Sequence, residues 1–243
     1  MRASIVVLTY NHLEDGTRPC LESIFRNTSA EDFELIVVDN SSKDGTPDYL
    51  NELKKLHSNV KVILNENNKG YAGGNNDGIK VAKGDFIILL NNDTLVTPGW
   101  LDRLLHPFSK DPSIGLVGPI TNSAGNEQMV IIPNLVESNH EKLSEEYVSK
   151  NKDYYFETEK LGFFCVAISR KVIDKIGILD EQFGIGMFED DDYCLRAKRA
   201  GFKLVVDEGC FIYHKGSLSF KKMAEEEYRE IFRKNREYFT RKH

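Results

Sequence analysis

Leu35-Ile36-Val37-Val38-Asp39-Asn40-Ser41-Ser42 is a short, β-branched apolar run that stops abruptly at small polar side chains. It reads as a buried strand delivering an acidic residue to its carboxyl end. The pattern recurs on either side. Ser4-Ile5-Val6-Val7-Leu8 runs into Thr9-Tyr10-Asn11, Val60-Lys61-Val62-Ile63-Leu64 into Asn65, and Phe86-Ile87-Ile88-Leu89-Leu90 into Asn91-Asn92-Asp93. Helical patterns alternate with these runs. Thr46-Pro47 offers an N-cap and a proline at the first helical position ahead of Tyr49, Leu50, Leu53 and Leu56, and Thr97-Pro98 repeats the signal before Trp100, Leu101, Leu104 and Leu105. Strands alternating with helices predict βαβ units, hence an α/β fold with a mostly parallel central sheet flanked by helices. In such sheets ligands bind outside the carboxyl ends of the strands, where these polar residues cluster.

The remaining chain is read less sharply. Gly115-Leu116-Val117 suggests a fifth strand, Asn122 to Thr158 loosens into an insertion or surface subdomain, and Gly162-Phe163-Phe164-Cys165-Val166-Ala167-Ile168 restores a core strand. A helix is expected over Arg170 to Ile176, another from Glu189 to Gly201, and a strand pair across Leu204 to Tyr213. Phe220 to His243 places Ala224, Tyr228, Ile231 and Tyr238 at three- and four-residue steps, an amphipathic terminal helix with a basic end. One domain over 1–243 is expected: a nucleotide-sized half over 1–120, a second half over 121–219, and the helix over 220–243.

Composition narrows the class. At 243 residues, a folded surface of roughly 11,000 Å² against roughly 40,000 Å² unfolded leaves a core needing neither disulfide nor metal. The formal charge is −6 and the pI near 5.6, which argues against a nucleic-acid partner held by phosphate contacts. No apolar stretch reaches the 18 or so residues of a membrane span, and the amino-terminal run is too short for a secretory segment. Cys20, Cys165, Cys194 and Cys210 form no C-x-x-C pair, so reduced buried thiols and a cytoplasmic setting are expected.

Several positions suit chemistry. Asp39 stands where an acid meets a ribose hydroxyl or base edge in nucleotide folds, although no G-x-G-x-x-G or P-loop motif is present. Gly70-Tyr71-Ala72-Gly73-Gly74-Asn75-Asn76 would let backbone approach a ligand, or would serve helix packing equally well. Asp93 is a strand-end carboxylate suited to Mg²⁺ or Mn²⁺, with His214 as a second ligand, although a lone histidine is more commonly structural. Glu189-Asp190-Asp191-Asp192 would cap a helix, yet four acids exceed that need. Repulsion and the apolar flank would raise a pKa there, as a general base requires.

Together, Ser4 to Asn11, Val37 to Thr46, Asn68 to Asn76, Leu90 to Thr94 and Phe188 to Asp192 resemble the family 2 glycosyltransferases of the GT-A fold, a Rossmann-like architecture, and most closely their rhamnosyltransferase-like branch. The resemblance implies inverting transfer of a sugar from a UDP- or dTDP-sugar to an acceptor hydroxyl on a glycan, glycolipid or glycoprotein. It places Thr9, Tyr10, Asn11 and Asp39 in the nucleoside pocket, joined by Gly74, Asn75 and Asn92. Asp93 matches the last acid of the family's D-x-D motif and His214 a histidine that completes the Mn²⁺ or Mg²⁺ site. Asn91 stands where many members carry the first acid. Asp190 would be the general base, with Gly162, Phe163 and Glu189 beside donor sugar and acceptor. The loop Gly216 to Lys222 would close over the diphosphate, Lys215, Lys221 or Lys222 lending charge.

Two other readings compete. A sugar-phosphate nucleotidyltransferase would carry a glycine-rich, arginine-containing loop where Thr9 to Glu14 stands, and a non-catalytic nucleotide- or carbohydrate-binding module would not require the Glu189-Asp190 pair. The terminal helix suits packing on its own domain, pairing in a homodimer, or peripheral contact with the inner face of an anionic membrane.

Overall fold

The computed structural model describes residues 3–216 and 224–243. Four parallel strands open the chain: β1 (Ala3–Thr9), β2 (Phe33–Asp39), β3 (Val60–Leu64) and β4 (Phe86–Asn91). Between them run α1 (Arg18–Asn27), α2 (Thr46–Leu56) and α3 (Gly70–Val81). Then follow β5 (Thr94–Val96), α4 (Trp100–Lys110), β6 (Ile114–Ile120), α5 (His140–Val148), β7 (Tyr155–Glu157), β8 (Cys165–Ser169), α6 (Arg170–Ile176), α7 (Glu189–Arg199), β9 (Lys203–His214) and α8 (Glu225–Lys242).

The sheet runs β3-β2-β1-β4-β8-β6-β9-β5, with β7 on β9. The parallel block covers β3 to β4, as the βαβ pattern predicts. Beyond it the sheet turns mixed, because β8 lies antiparallel between β4 and β6.

Alternation along the strands builds two cores. Ile5, Val7, Leu35, Val37, Ile88 and Leu90 face one side, against Leu21, Ile24, Leu50, Trp100 and Leu104 of α1, α2 and α4. Val6, Ile36, Val38, Ile87 and Leu89 face the other, against Ala72, Ile79, Val172, Tyr193 and Ala197 of α3, α6 and α7. Strands buried on both faces carry no polar alternation, which is why their sequences read as unbroken apolar runs.

The glycines of α3 serve that packing. A Cβ on Gly74 would lie 2.3 Å from Leu8 Cδ1, and one on Gly78 would lie 2.4 Å from Val6 Cγ1.

Several expectations are corrected. Leu204 to Tyr213 is part of one twelve-residue strand, β9, rather than a strand pair, since it pairs with β6 and β7 up to Asp207 and with β6 and β5 again from Phe211 to His214. Asn122 to Thr158 holds α5 and β7, and β7 is tied into the sheet by β9. Thr46 is the first residue of α2 rather than its cap; the Asp44 carboxylate accepts its N–H instead, at 3.0 Å. Gly99 at φ 72°, not Thr97, precedes α4.

The expected apolar stripe of α8 is partial: Ile231 and Tyr238 are half-buried, with Tyr238 edge-on against Phe183. Ala224 and Tyr228 are exposed, and the residue of α8 that is buried is Asn235. The loop expected over Gly216 to Lys222 lies, past Gly216, outside the described residues. Among the described residues no helix is long and apolar enough to cross a membrane.

Asp207, on β9, is 4% exposed, with Oδ1 accepting the Gly209 N–H at 2.9 Å. Burial pushes its carboxyl up from 3.8 to about 7. Between those values the folded chain keeps a proton that the unfolded chain has released, so stability falls as pH rises through the window. Asp207→Asn keeps the acceptor and removes the charge. It is expected to raise stability at pH 8 by on the order of 2–4 kcal/mol and to change little at pH 4, as urea unfolding at the two pH values will measure.

Candidate active site

Four strand ends meet at one edge of the sheet. Thr9 Oγ1 and Thr17 Oγ1 are 2.5 Å apart, and Asn92 Nδ2 donates to Thr17 Oγ1 at 3.0 Å, joining the ends of β1 and β4. Asn11 adopts φ 55°, with its N–H on Ser42 Oγ at 2.6 Å and its Oδ1 accepting the Lys43 N–H at 2.8 Å. That pair ties the loop after β1 to the loop after β2. Asp39 is 2% exposed; Oδ2 accepts the Ser42 N–H at 3.0 Å, while buried Oδ1 has no hydrogen-bond partner among the described residues. An unsatisfied buried acceptor beside a strand end is costly unless a ligand donor completes it. Tyr10 stands 40% exposed at the rim.

Gly74 and Asn75 do not join this group. Asn75 is 1% exposed and its Nδ2 turns back to the Tyr71 carbonyl at 3.0 Å, while Gly74 is packed on Leu8. Of the two sequence readings of the glycine-rich segment, helix packing is the one these positions fit. Asn40, not singled out from the sequence, is the hub instead. Its Nδ2 donates to Asn68 Oδ1 at 2.9 Å and the Gly70 carbonyl at 3.0 Å, and its Oδ1 accepts from Asn65 Nδ2 and the Lys69 N–H, each at 3.2 Å.

Register brings Asp93 and His214 together. β5 pairs antiparallel with the end of β9, Thr94 opposite His214, and the Lys215 N–H bonds the Asp93 carbonyl at 2.9 Å. His214 Nε2 lies 3.3 Å from Asp93 Oδ1, both side chains nearly buried. Its Nδ1 lies 2.8 Å from the Ser123 carbonyl, which only accepts, so Nδ1 carries a hydrogen and Nε2 is the ring atom turned toward Asp93. A carboxylate oxygen and an imidazole nitrogen this close suit a shared cation. Among the described residues no group of three or more His, Cys, Asp or Glu side chains forms a complete protein cage, so further ligands would come from substrate or water. Lys215 reaches the Asp15 carbonyl at 3.0 Å and Glu137 at 2.7 Å.

Beside this pair opens a cleft of ≈650 Å³, lined by Tyr71, Asn91, Ser123 to Asn126, Met129, Lys160 to Phe164, Met187, Glu189 to Asp191 and His214. It gathers Gly162, Phe163, Glu189, Asp190 and His214 of the sequence-based set. Asn126, Lys160 and Met187 carry no sequence signal, because each is ordinary in its own segment, and Tyr71 stands within the glycine-rich segment; only folding faces the four across one opening. Tyr71 OH donates to the Phe163 carbonyl at 2.5 Å, fixing the cleft floor.

The four acids before and within α7 separate by environment. Burial, and then the neighbouring acid's charge, raises both the Glu189 and Asp190 carboxyls above the ordinary range. Glu189 is 6% exposed, with Oε2 lacking a hydrogen-bond partner among the described residues, and Asp190 Oδ1 accepts the Asp191 N–H at 2.9 Å. Lys160 lies 3.4 Å from Asp191. Asp192, wholly buried, goes the other way: burial would raise it, but Lys242, His243 and Arg196 together hold it below its usual value. Titratable neighbours driven apart in this way make the Glu189–Asp190 pair a candidate for acid–base chemistry.

The family model for glycosyl transferase family 2 matches residues 4–177. The chain belongs to that family. Over 113 residues, 46% of this chain and 18% of the relative, it is 42% identical to the poly(ribitol-phosphate) beta-glucosyltransferase of Bacillus spizizenii. Over 250 aligned positions, 98% of this chain and 27% of the relative, it is 28% identical to the uncharacterized protein y4gI of Sinorhizobium fredii. The chain thus spans less than a third of the length of either relative. Among solved structures, GalNAc-T7 with UDP, GalNAc and Mn²⁺ superposes with a TM-score of 0.71 at 20% identity, covering 88% of this chain and 43% of that one. The fold is GT-A.

Gly70 adopts φ 71°, and a Cβ there would lie 1.9 Å from the Gly184 carbonyl oxygen. Gly70→Ala is therefore expected to destabilise the chain by more than about 2 kcal/mol, read as a lowered urea midpoint, since both backbone strain and overlap oppose it.

Proposed function

We propose that the chain carries out inverting transfer of a hexosyl or rhamnosyl unit from a nucleoside diphosphate sugar, UDP- or dTDP-linked, to a hydroxyl of a glycan, lipid-linked or protein-linked acceptor. The observation that carries this reading is the Asp190 carboxyl, raised above its ordinary value and lining a cleft that His214 also lines. Residues 1–120 would hold the donor, 121–219 the acceptor and the base.

The buried unpartnered Asp39 Oδ1 would accept a hydrogen from the nucleobase or ribose, with Tyr10 at the rim and Asn11 shaping the loop. Asp93 and His214 would hold a divalent ion, which when bound supplies positive charge to the diphosphate. Asp190 takes the acceptor hydroxyl's proton as that oxygen bonds to the anomeric carbon. On the opposite face the bond from that carbon to the diphosphate oxygen breaks, and the diphosphate departs with the electron pair. Glu189, protonated more readily than an ordinary carboxyl, would donate to a sugar hydroxyl beside it, and Gly162 and Phe163 would form the floor beneath.

A raised base must lose its proton to act, so kcat/KM should fall on the acid side with an apparent pKa above the usual 3.8 of aspartate. Lys160, Glu189, Asp191 and Tyr71 share that field and set its position. Asp190→Asn is expected to lower kcat by about 10²–10⁴ while leaving UDP affinity intact. Calorimetry with UDP, dTDP, GDP and CDP, with and without Mn²⁺, should find one nucleotide bound more tightly with the metal. Asp93→Ala should abolish the metal-dependent part. A folded sample that binds none of the four would overturn the proposal.

A further inference from the structure

Asn235 is the buried residue of α8, 3% exposed on a helix whose other residues mostly face solvent. Its Nδ2 lies 2.7 Å from the Phe183 carbonyl, 2.8 Å from the Gly186 carbonyl and 3.2 Å from the Met187 carbonyl. Three main-chain acceptors converging on one amide are not what apolar packing requires. A leucine would fill the space and leave three carbonyls without a donor.

Those carbonyls belong to the segment that leads directly into the candidate base. Met187 and Phe188 both adopt left-handed backbone, φ 76° and 73°, and the helix carrying Glu189 and Asp190 starts at the next residue. Non-glycine residues hold that conformation only where their surroundings enforce it. Helix α8 supplies several contacts to this segment and its flanks. Beyond Asn235, the Phe188 ring packs on Phe232 and Phe239, with centroids 5.1 and 5.8 Å away. Tyr238 OH donates to Asp180 at 2.8 Å, and Lys242 reaches both Asp180 and Asp192 at 2.6 Å. From the other side, the Tyr71 N–H donates to the Ile185 carbonyl at 3.0 Å, linking the same loop to a residue of the cleft floor.

We infer that Asn235 is a positioning residue: it fixes the 183–188 backbone and through it the direction in which the Glu189–Asp190 pair enters the cleft. The inference rests on the reading of Asp190 as base. The nucleotide residues lie at the ends of β1, β2 and β4, outside this loop, so loss of the clamp should act on turnover rather than on donor binding.

The test uses the full chain with Asn235→Asp, which keeps the shape and removes the amide donors, and with Asn235→Ala. Expected are a fall in kcat on the order of 10- to 100-fold, donor KM and UDP affinity within about two-fold of the parent, and roughly ten-fold faster hydrogen exchange confined to amides 184–192. Unchanged kcat and unchanged exchange in folded variants would overturn it. So would a kcat loss that tracks the fall in melting temperature and vanishes on cooling, which marks a purely structural residue. A parent chain that transfers no sugar would instead remove the base assignment, and the exchange measurement would then decide by itself whether Asn235 holds the loop.

Discussion

The pairing of β5 with the end of β9 is the constraint on which the site depends. β9 is twelve residues long and belongs to the main sheet through β6, while its last residues leave that register to meet a three-residue strand just after β4. A shift of one residue would turn His214 to the opposite face and separate it from Asp93. The bulge between Pro119 and Ile120, opposite Asp207 to Phe211, lets one strand serve both pairings.

On the other wall the site is made by burial rather than register. Glu189 and Asp190 lie where α7 begins, flanked by the apolar contacts of Phe163 and Tyr193, whose rings meet edge-on at 6.0 Å. Low solvent access raises both carboxyls. Two residues further on, Asp192 keeps its charge because Arg196, Lys242 and His243 surround it. The contrast separates neighbouring acids: Glu189 and Asp190 hold a proton more readily than ordinary carboxyls, while Asp192 is held ionised against the terminal helix.

Much of the scaffold was legible before folding was considered. The four apolar runs ending in Asn11, Asp39, Asn65 and Asp93 announced a parallel sheet with its polar residues at one edge, because strands buried on both faces tolerate no polar residue until they emerge. Glycine-rich sequence signals close approach, but not whether the approaching body is a ligand or, as for Gly74 and Gly78, the strands beneath. β9 was divided in two because Asp207 to Gly209 look like a turn when their bulge partner is unknown. Asn126 and Lys160 carried no sequence signal, since their meaning comes from segments far away in the chain.

The sequence by itself determined the α/β class and the four strands of the first half, because periodicity and short-range turn chemistry are properties of neighbouring residues, and its motifs carried the resemblance to the family. Only the tertiary structure decided that His214 faces Asp93, that Asp39 keeps a buried oxygen without a hydrogen-bond partner among the described residues, that the Asp190 and Asp192 carboxyls are shifted in opposite directions, and that a polar residue anchors α8. Each of these depends on which distant groups share a small, poorly solvated volume, and desolvation and charge coupling are set by that proximity in space rather than by order along the chain.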